Sequence, residues 1–408
     1  MRRSQTGRTA SADIESIKNV PTIVGVIAET FPGERRVAVV PSAIALLNKT
    51  GAEFVMEAGA GIAAGFPDSE YSEKGVRVVG SRAEVFGTAD VILQVRALGA
   101  NAQAGRGDLQ LLRRGQTVIG FGEPLTAGEA ARALAERGVT FLALELMPRI
   151  TRAQNMDALS SMATVAGYKA VLMAADALPR MMPMLMTAAG TITPARALVI
   201  GAGVAGLQAI ATARRLGAIV SGYDIRPAAR EQVESLGARF VVLAVEAEGA
   251  EEKGGYAKAM GEDFYRRQRE LLGDVLAEQN MVITTAAVPG KKAPVLVTRD
   301  MVRRMQPGSV IVDIAAERGG NCESTRPGEV VDEGGVKVFG AVNLPATIPY
   351  HASQMYARNI ATFLRYLLKD GRLTLDRQDE IVSETLVTHE GDVVHPRVRE
   401  LLGMEVGA

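Results

Sequence analysis

Three glycines, Gly201, Gly203 and Gly206, stand in the spacing G-x-G-x-x-G between the apolar run ARALVI (195–200) and the helical pattern LQAIATARRLG (207–217). Alone that spacing says little, but after a strand and before a helix it has a physical meaning. The glycines permit a tight turn, a close approach of backbone to a pyrophosphate, and close helix–strand packing. Phosphate would then rest on the free N–H groups at the helix N-terminus. Asp224 ends the next strand pattern, AIVSGYD (218–224). A carboxylate there can accept hydrogen bonds from both hydroxyls of an adenosine ribose and would repel a 2′-phosphate, which predicts NAD(H) rather than NADP(H) as the ligand. Arg226 lies close enough to blur that preference, although a solvated surface arginine is the simpler reading. The bland alternative, a purely structural glycine turn, does not account for strand, helix and acid occurring together.

Little else in the chain could do acid–base or metal chemistry. Of 408 residues three are histidines (His351, His389, His395), without metal-ligand spacing, and one is a cysteine, Cys322, so no disulfide can form within the chain and no cysteine metal cluster exists. Cys322 reads as a buried small residue in a reducing, cytosolic setting. The 46 basic and 46 acidic residues balance, which argues against a nucleic-acid ligand and against electrostatic attachment to an anionic membrane. No transmembrane helix is expected: the most apolar tract, 170–192, is interrupted by Asp176, Pro179, Arg180 and Pro183, and a span needs roughly 20 near-continuous apolar residues. Residues 1–20 are polar, lack the apolar core of a secretory signal, and read as a disordered extension.

The elements that must position the glycine turn follow from alternating patterns. TIVGVIAE (22–29), AEFVMEAGAG (52–61), VRVVG (76–80), DVILQV (90–95), QTVIGF (116–121) and VTFLALEL (139–146) read as strands, with helices at PSAIALLNKTG (41–51) and AGEAARALAERG (127–138). After a long helical stretch, 157–178, a second series begins at ARALVI and continues through AIVSGYD, RFVVLAV (239–245), MVITTA (281–286), SVIVDIA (309–315) and VKVFGAVN (336–343). Alternation of this kind implies α/β architecture: two Rossmann-like, doubly wound parallel-sheet domains with a cleft between them. The predicted boundaries are 21–158 plus 346–408 for a discontinuous first domain and 159–345 for the NAD(H)-binding domain. The first would be completed by the helix QMYARNIATFLRYLL (354–368) and a hairpin, TLVTHEGDVVHP (385–396), turning at Glu390-Gly391. The charged, glycine-bearing segment 246–264 reads as an exposed mobile loop.

Several longer segments resemble one family. RITRAQNMDALSSMATVAGYKAV (149–171), TAAGTITPARALVIGAGVAGLQAIATARRLGA (187–218), KGGYAKAMGEDF (253–264), ITTAAVPGKKAPVLVT (283–298) and GSVIVDIAAERGGNCE (308–323) are similar to the soluble NAD(H)-binding component, domain I or alpha subunit, of Re/Si-specific, proton-translocating NAD(P)+ transhydrogenases. The resemblance runs from about residue 22 to the end. Its most specific segment is Arg149, Gln154 and Asp157, which match an Arg-Gln-Asp loop, whereas many dehydrogenases share the glycine motif.

The resemblance implies that Arg149 and Asp157 hold the nicotinamide end of NAD(H), that Ser160 helps with its carboxamide, and that Gln154 reaches toward NADP(H) on a partner subunit. It places Ala202, Gly203 and Val204 along the pyrophosphate, and Asp224, with Ile225 and Arg226 beside it, at the ribose. Gly255, Tyr256 and Met260 fall in a loop that closes over the nucleotide, and Thr285, Ala286 and Ala287 flank the ring. It further implies a membrane-spanning proton-channel subunit, an NADP(H)-binding subunit, and a homodimer formed through the C-terminal hairpin. The complex would lie on the cytoplasmic face of the inner membrane, with this chain attached through its partners. Hydride transfer between two nicotinamides changes no oxygen or nitrogen protonation, so positioning groups suffice. Read from the residues alone, Arg149 and Asp157 could equally be an ion pair bracing a linker, Gln154 an exposed loop residue, and Tyr256 and Met260 ordinary packing.

Alanine dehydrogenases share this architecture but must move protons, for which that family uses a Lys and a His in its first domain. Gln94 and a histidine-free GFGEPLT (120–126) stand at those positions here. Arg36 does match an arginine those enzymes use for a carboxylate, and Glu317 sits near an acid of theirs, but an arginine alone cannot do proton chemistry. Gln94 also departs from the usual transhydrogenase Lys, and Lys292 from the usual Pro in PGKKAP. A third reading, a non-catalytic NAD(H)-responsive module, would need the glycines and Asp224 but not the Arg149–Gln154–Asp157 loop.

Overall fold

The computed structural model describes residues 21–243, 251–252, 256–257, 261–288 and 290–405. Two parallel sheets organise them. In the first, six parallel strands occur in the chain order Ile23–Val26, Glu53–Glu57, Arg77–Val79, Val91–Arg96, Thr117–Phe121 and Thr140–Ala143. Their spatial order is 3-2-1-4-5-6, and Leu386–His389 then adds antiparallel to the sixth, followed by Asp392–Val393. The second sheet repeats the plan with Arg196–Ile200, Ile219–Tyr223, Arg239–Phe240, Met281–Thr284, Val310–Asp313 and Val336–Gly340, again ordered 3-2-1-4-5-6.

Strands buried on both faces explain why the sequence shows apolar runs rather than strict alternation. Val91, Leu93 and Val95 point into one core and Ile92 into the other. Ala197 and Val199 likewise face one side of the second sheet, Leu198 and Ile200 the opposite side. That period of two is the pleat of the strand.

Two elements differ from the sequence reading. The second sheet has a seventh strand, Val330–Glu333, antiparallel to Val336–Gly340 and joined to it at Gly334-Gly335, whose φ values of 66° and 87° only glycine adopts freely. The strand expected at 239–245 is reduced to Arg239–Phe240 at the sheet edge. In addition, Leu185–Thr187 and Gly190–Ile192 form a hairpin that joins no larger sheet and leaves Met184 and Met186 exposed.

Helix Ala158–Ala177 joins the sheets. Asp157 caps it by accepting from the Ser160 N–H at 2.8 Å. It is long and apolar enough to cross a membrane by those measures alone, a feature that the interrupted tract 170–192 does not reveal. In the structure it packs against helices Val204–Arg215 and Pro349–Leu367 and against strands Met281–Thr284 and Val310–Asp313. Its contact with Val204–Arg215 is backbone-close: a Cβ on Gly167 would collide with the Ala205 carbonyl oxygen. Helix Pro349–Leu367 returns to the first sheet, where Tyr356, Ile360 and Phe363 share a core with Val24 and Leu93.

Candidate functional site

The glycine turn lies where the second sheet reverses its strand order, between Arg196–Ile200 and Met281–Thr284, at the carboxyl ends of both. Ligands of doubly wound sheets bind at that place. Each glycine answers a different steric demand. Gly201 has φ of 98°, and a Cβ there would meet the Thr285 hydroxyl. A Cβ on Gly206 would strike the Gly201 carbonyl oxygen. Gly203 faces open space, with nothing within 4 Å of where its Cβ would be. Gly203 is also the N-cap of helix Val204–Arg215 and supplies no side-chain partner to the helix N–H groups. An exposed backbone in front of a helix N-terminus suits an anion, and the residues present therefore fit a dinucleotide pyrophosphate.

Hydrogen bonds fasten the surrounding residues to this turn. Thr285 donates its hydroxyl to the Gly201 carbonyl at 2.9 Å. Asp224 accepts the Ala202 N–H at 2.7 Å. Ala286 is held in place by Asn321, whose amide donates to the Ala286 carbonyl at 2.8 Å and to that of Pro294 at 2.9 Å. Ile225 and Ala287 are half-buried beside these groups. Arg226 corrects the expectation of a solvated arginine: its side chain is 14% exposed and lies on Asp224, itself 6% exposed. The Arg226 Nε donates to Asp224 Oδ1 at 2.9 Å and Nη2 to Oδ2 at 2.8 Å.

Arg149, Gln154, Asp157 and Ser160 gather at the head of the connecting helix. Gln154 is exposed on the 3-10 turn Thr151–Met156, and Arg149 is exposed just before it. Two anchors fix the turn. Asn359 donates to the Asn155 carbonyl at 2.9 Å, and Arg152 reaches Asp379, which also accepts from Tyr366. Gly167 lies ten residues along the helix from Asp157, or about 15 Å. Tyr256 pairs with Glu252 through the backbone, whereas Gly255 and Met260 lie outside the described residues, as does most of the expected loop. Helix Glu262–Ala277 takes the end of that loop.

The equivalent crevice of the first sheet is filled by the chain's own charges. Glu34 is bound by Arg36 at 2.6 Å, with both side chains buried. Burial alone would push the Glu34 carboxyl up, but hydrogen bonds and charge from Arg36 outweigh it and hold it down at about 2. Glu29 bridges the strand-order reversal, accepting the Val95 N–H at 2.6 Å and the Arg96 N–H at 3.0 Å. Glu145 accepts the Gly122 N–H at 2.8 Å, and its second oxygen is buried without a partner. Burial pushes Glu29 and Glu145 up to about 7, aided by the charges of Glu34 and Glu123 respectively. Gln94 donates to Asp108 at 2.9 Å. The two sheets meet through Arg318 and Glu123 at 3.3 Å, Arg96 and Glu317 at 3.5 Å, and Asn343, which donates to Glu34 at 3.0 Å.

Sequence reasoning missed Asn321, Asn359 and the buried carboxylates, whose partners are distant in the chain. Gly167 did leave a signal, since a glycine inside an apolar helix marks a close packing contact. Cys322 is buried as expected, which pushes its thiol up to about 12.

Comparison with known proteins agrees with the family resemblance. Residues 25–166 match the domain described as "Alanine dehydrogenase/PNT, N-terminal domain", and residues 170–396 match "Alanine dehydrogenase/PNT, C-terminal domain". The chain is 45% identical over 376 residues to an NAD(P) transhydrogenase subunit alpha chain of Rhodospirillum rubrum, covering 91% of this chain and 98% of that protein. It is 31% identical over 389 residues to an alanine dehydrogenase of Mycobacterium tuberculosis, covering 93% and 97%. The crystal structure of a transhydrogenase from Sinorhizobium meliloti superposes with a TM-score of 0.81 at 46% identity, covering 91% of this chain and 100% of that one. With both of its domains matched and such relatives along nearly its whole length, the chain belongs to the alanine dehydrogenase/PNT family.

Proposed function

We propose that the chain is the NAD(H)-binding subunit of a proton-translocating NAD(P)+ transhydrogenase. It would hold NAD(H) while a partner subunit holds NADP(H), and a membrane-spanning subunit would carry the protons. The observation that carries this reading is the contrast at Gln94. A dehydrogenase acting on an amino acid must move a proton at that crevice, and here a neutral amide donates to Asp108 while Arg36 is already taken by Glu34. His389 lies beside Thr140, His395 is buried and its pKa pushed down to about 4 by burial and by Arg397, and His351 packs edge-on against Tyr350. The higher identity to transhydrogenase chains supports the same choice.

On this reading the bound dinucleotides supply the redox chemistry, a hydride passing between two ring carbons. The backbone around Gly203 and the helix behind it carry the pyrophosphate. Asp224 receives the ribose. Thr285, Ala286 and Ala287, secured by Gly201 and Asn321, flank the ring, with Gly255, Tyr256 and Met260 in a covering loop. Arg149, Asp157 and Ser160 hold the nicotinamide end, and exposed Gln154 aligns the partner's nucleotide. Rate then depends on holding the reacting atoms about 3–3.5 Å apart.

The chain would attach to the cytoplasmic face of a membrane through its partners. The proposed homodimer is better supported by the apolar hairpin at 185–192 than by the C-terminal one: Met186 is 82% exposed, whereas Leu386–His389 is built into the first sheet. Sedimentation of Met186→Glu would report a monomer if that hairpin makes the contact.

The functional test is reduction of an acetylpyridine NAD analogue by NADPH, with and without an added NADP(H)-binding transhydrogenase domain, beside an assay with L-alanine and NAD+. Turnover that needs the added domain and is lost in Gln154→Asn supports the proposal. Alanine oxidation by the chain alone would replace it with a dehydrogenase, and NADH binding with neither activity with a regulatory module.

A further inference from the structure

Asp224 has no acceptor position left for a ribose. A carboxylate offers about four lone-pair sites, and here Oδ1 receives the Arg226 N–H at 2.8 Å and Nε at 2.9 Å. Oδ2 receives the Ala202 N–H at 2.7 Å and Arg226 Nη2 at 2.8 Å. The two backbone bonds belong to the turn and place the carboxylate. The two guanidinium bonds form a parallel fork across both oxygens. A vicinal diol would present the same pattern, one donor to each oxygen. Arg226 therefore sits where the 2′- and 3′-hydroxyls of a ribose must go.

Resting on the NAD(H) reading above, we infer that Arg226 is a specificity-determining residue that competes with ribose for Asp224. Nucleotide entry must displace the guanidinium, so NAD(H) binds less tightly than Asp224 alone would dictate. The displaced cation stays tethered two residues from the carboxylate, beside the 2′ position. There it screens Asp224 and can itself pair with a phosphate. The same arginine thus lowers affinity for NAD(H) and softens the rejection of NADP(H). A solvated arginine would do neither.

The test is equilibrium titration of the full chain with NADH and with NADPH, for the natural protein, Arg226→Ala and Arg226→Gln, with thermal melting of each. In Arg226→Ala the NADH Kd should fall about fivefold to tenfold and the NADPH Kd should rise by a similar factor, the size of one charge-assisted interaction gained or lost. Arg226→Gln, which keeps an N–H donor without the charge, should shift both constants in the same directions by less. Weaker NADH binding in a variant that melts normally would overturn the inference, because Arg226 would then be a ligand of the nucleotide and not its competitor. Should Arg226→Ala melt early, unchanged discrimination in a stable Arg226→Gln would overturn it equally. A natural protein that binds neither nucleotide would instead sink the NAD(H) reading itself.

Discussion

The two sheets carry the same strand order and treat their crevices in opposite ways. At the reversal of the first sheet, the backbone N–H groups of Val95 and Arg96 are taken by Glu29, and those of Gly122 and Glu123 by Glu145. At the reversal of the second, Gly203 leaves the backbone bare in front of a helix N-terminus. Both places are suited to an anion. One is satisfied by carboxylates of the chain itself, the other is open to a ligand. Topology thus provides a binding position twice, and side chains decide which copy is used.

The largest effect should come from emptying the filled crevice. Glu34→Ala leaves the Arg36 charge buried and unpaired, which should lower unfolding free energy by about 3–5 kcal/mol in a denaturant titration. The double replacement Glu34→Leu with Arg36→Met should recover most of that. Equal losses in single and double variants would show that the pair matters for packing and not for charge.

Closing the open crevice comes next. Gly203→Val projects a side chain into the space in front of the turn, so NADH affinity should fall by about 100-fold, or roughly 2.7 kcal/mol, with little change in melting temperature. Gly206→Val, by contrast, should melt early because its Cβ has no room. Similar behaviour of the two variants would break the distinction between ligand-facing and packing glycines.

The carboxylate plugs can be sharpened by pH. The Glu145 pKa stands at about 7 in the fold against an ordinary 4.5. Protonation therefore contributes stability that is fully present below about 4.5 and is lost as pH rises through 7. Glu145→Gln keeps the acceptor for the two N–H groups and removes the titration. Relative to the natural protein it should gain about 1–3 kcal/mol of stability between pH 5 and pH 8. Parallel stability curves would mean that the carboxyl is not held neutral.

The smallest effect concerns the loop at the head of the connecting helix. Asn359→Ala removes one hydrogen bond to the Asn155 carbonyl, worth about 1 kcal/mol. In the acetylpyridine assay, hydride transfer should slow by several-fold while the NADH Kd is unchanged, and Asn359→Gln should restore some of the rate. A matched rise in Kd would assign Asn359 to nucleotide binding.

The open crevice was readable in the sequence, and the filled one was not. Gly201, Gly203, Gly206 and Asp224 are close in the chain, and their roles depend on local backbone shape. The cap at Asp157 and the start of the helix after it are local in the same way. Glu29 meets Val95, Gln94 meets Asp108, and Asn343 meets Glu34 across intervals that only the folded topology sets. Arg226 misled for a different reason. Its partner is only two residues away, yet whether an arginine turns toward a neighbouring carboxylate or toward water depends on the depth of the crevice. The strand Val330–Glu333 is polar at its end and half-exposed along its length, as a sheet edge is, and so lacked the apolar run that revealed the strands inside the sheet.

The contact between Gly167 and Ala205 has a mechanical consequence. Backbone rests on backbone there, with no compliant side chain to absorb a shift of helix Val204–Arg215. The connecting helix, 20 residues and about 30 Å long, behaves as a stiff rod with that contact as its fulcrum. A tilt of about 2° at the fulcrum displaces Asp157, about 15 Å away, by about 0.5 Å. A movement too small to see at the glycine turn therefore arrives at the Gln154 loop as a displacement comparable to the tolerance of the reaction it would align.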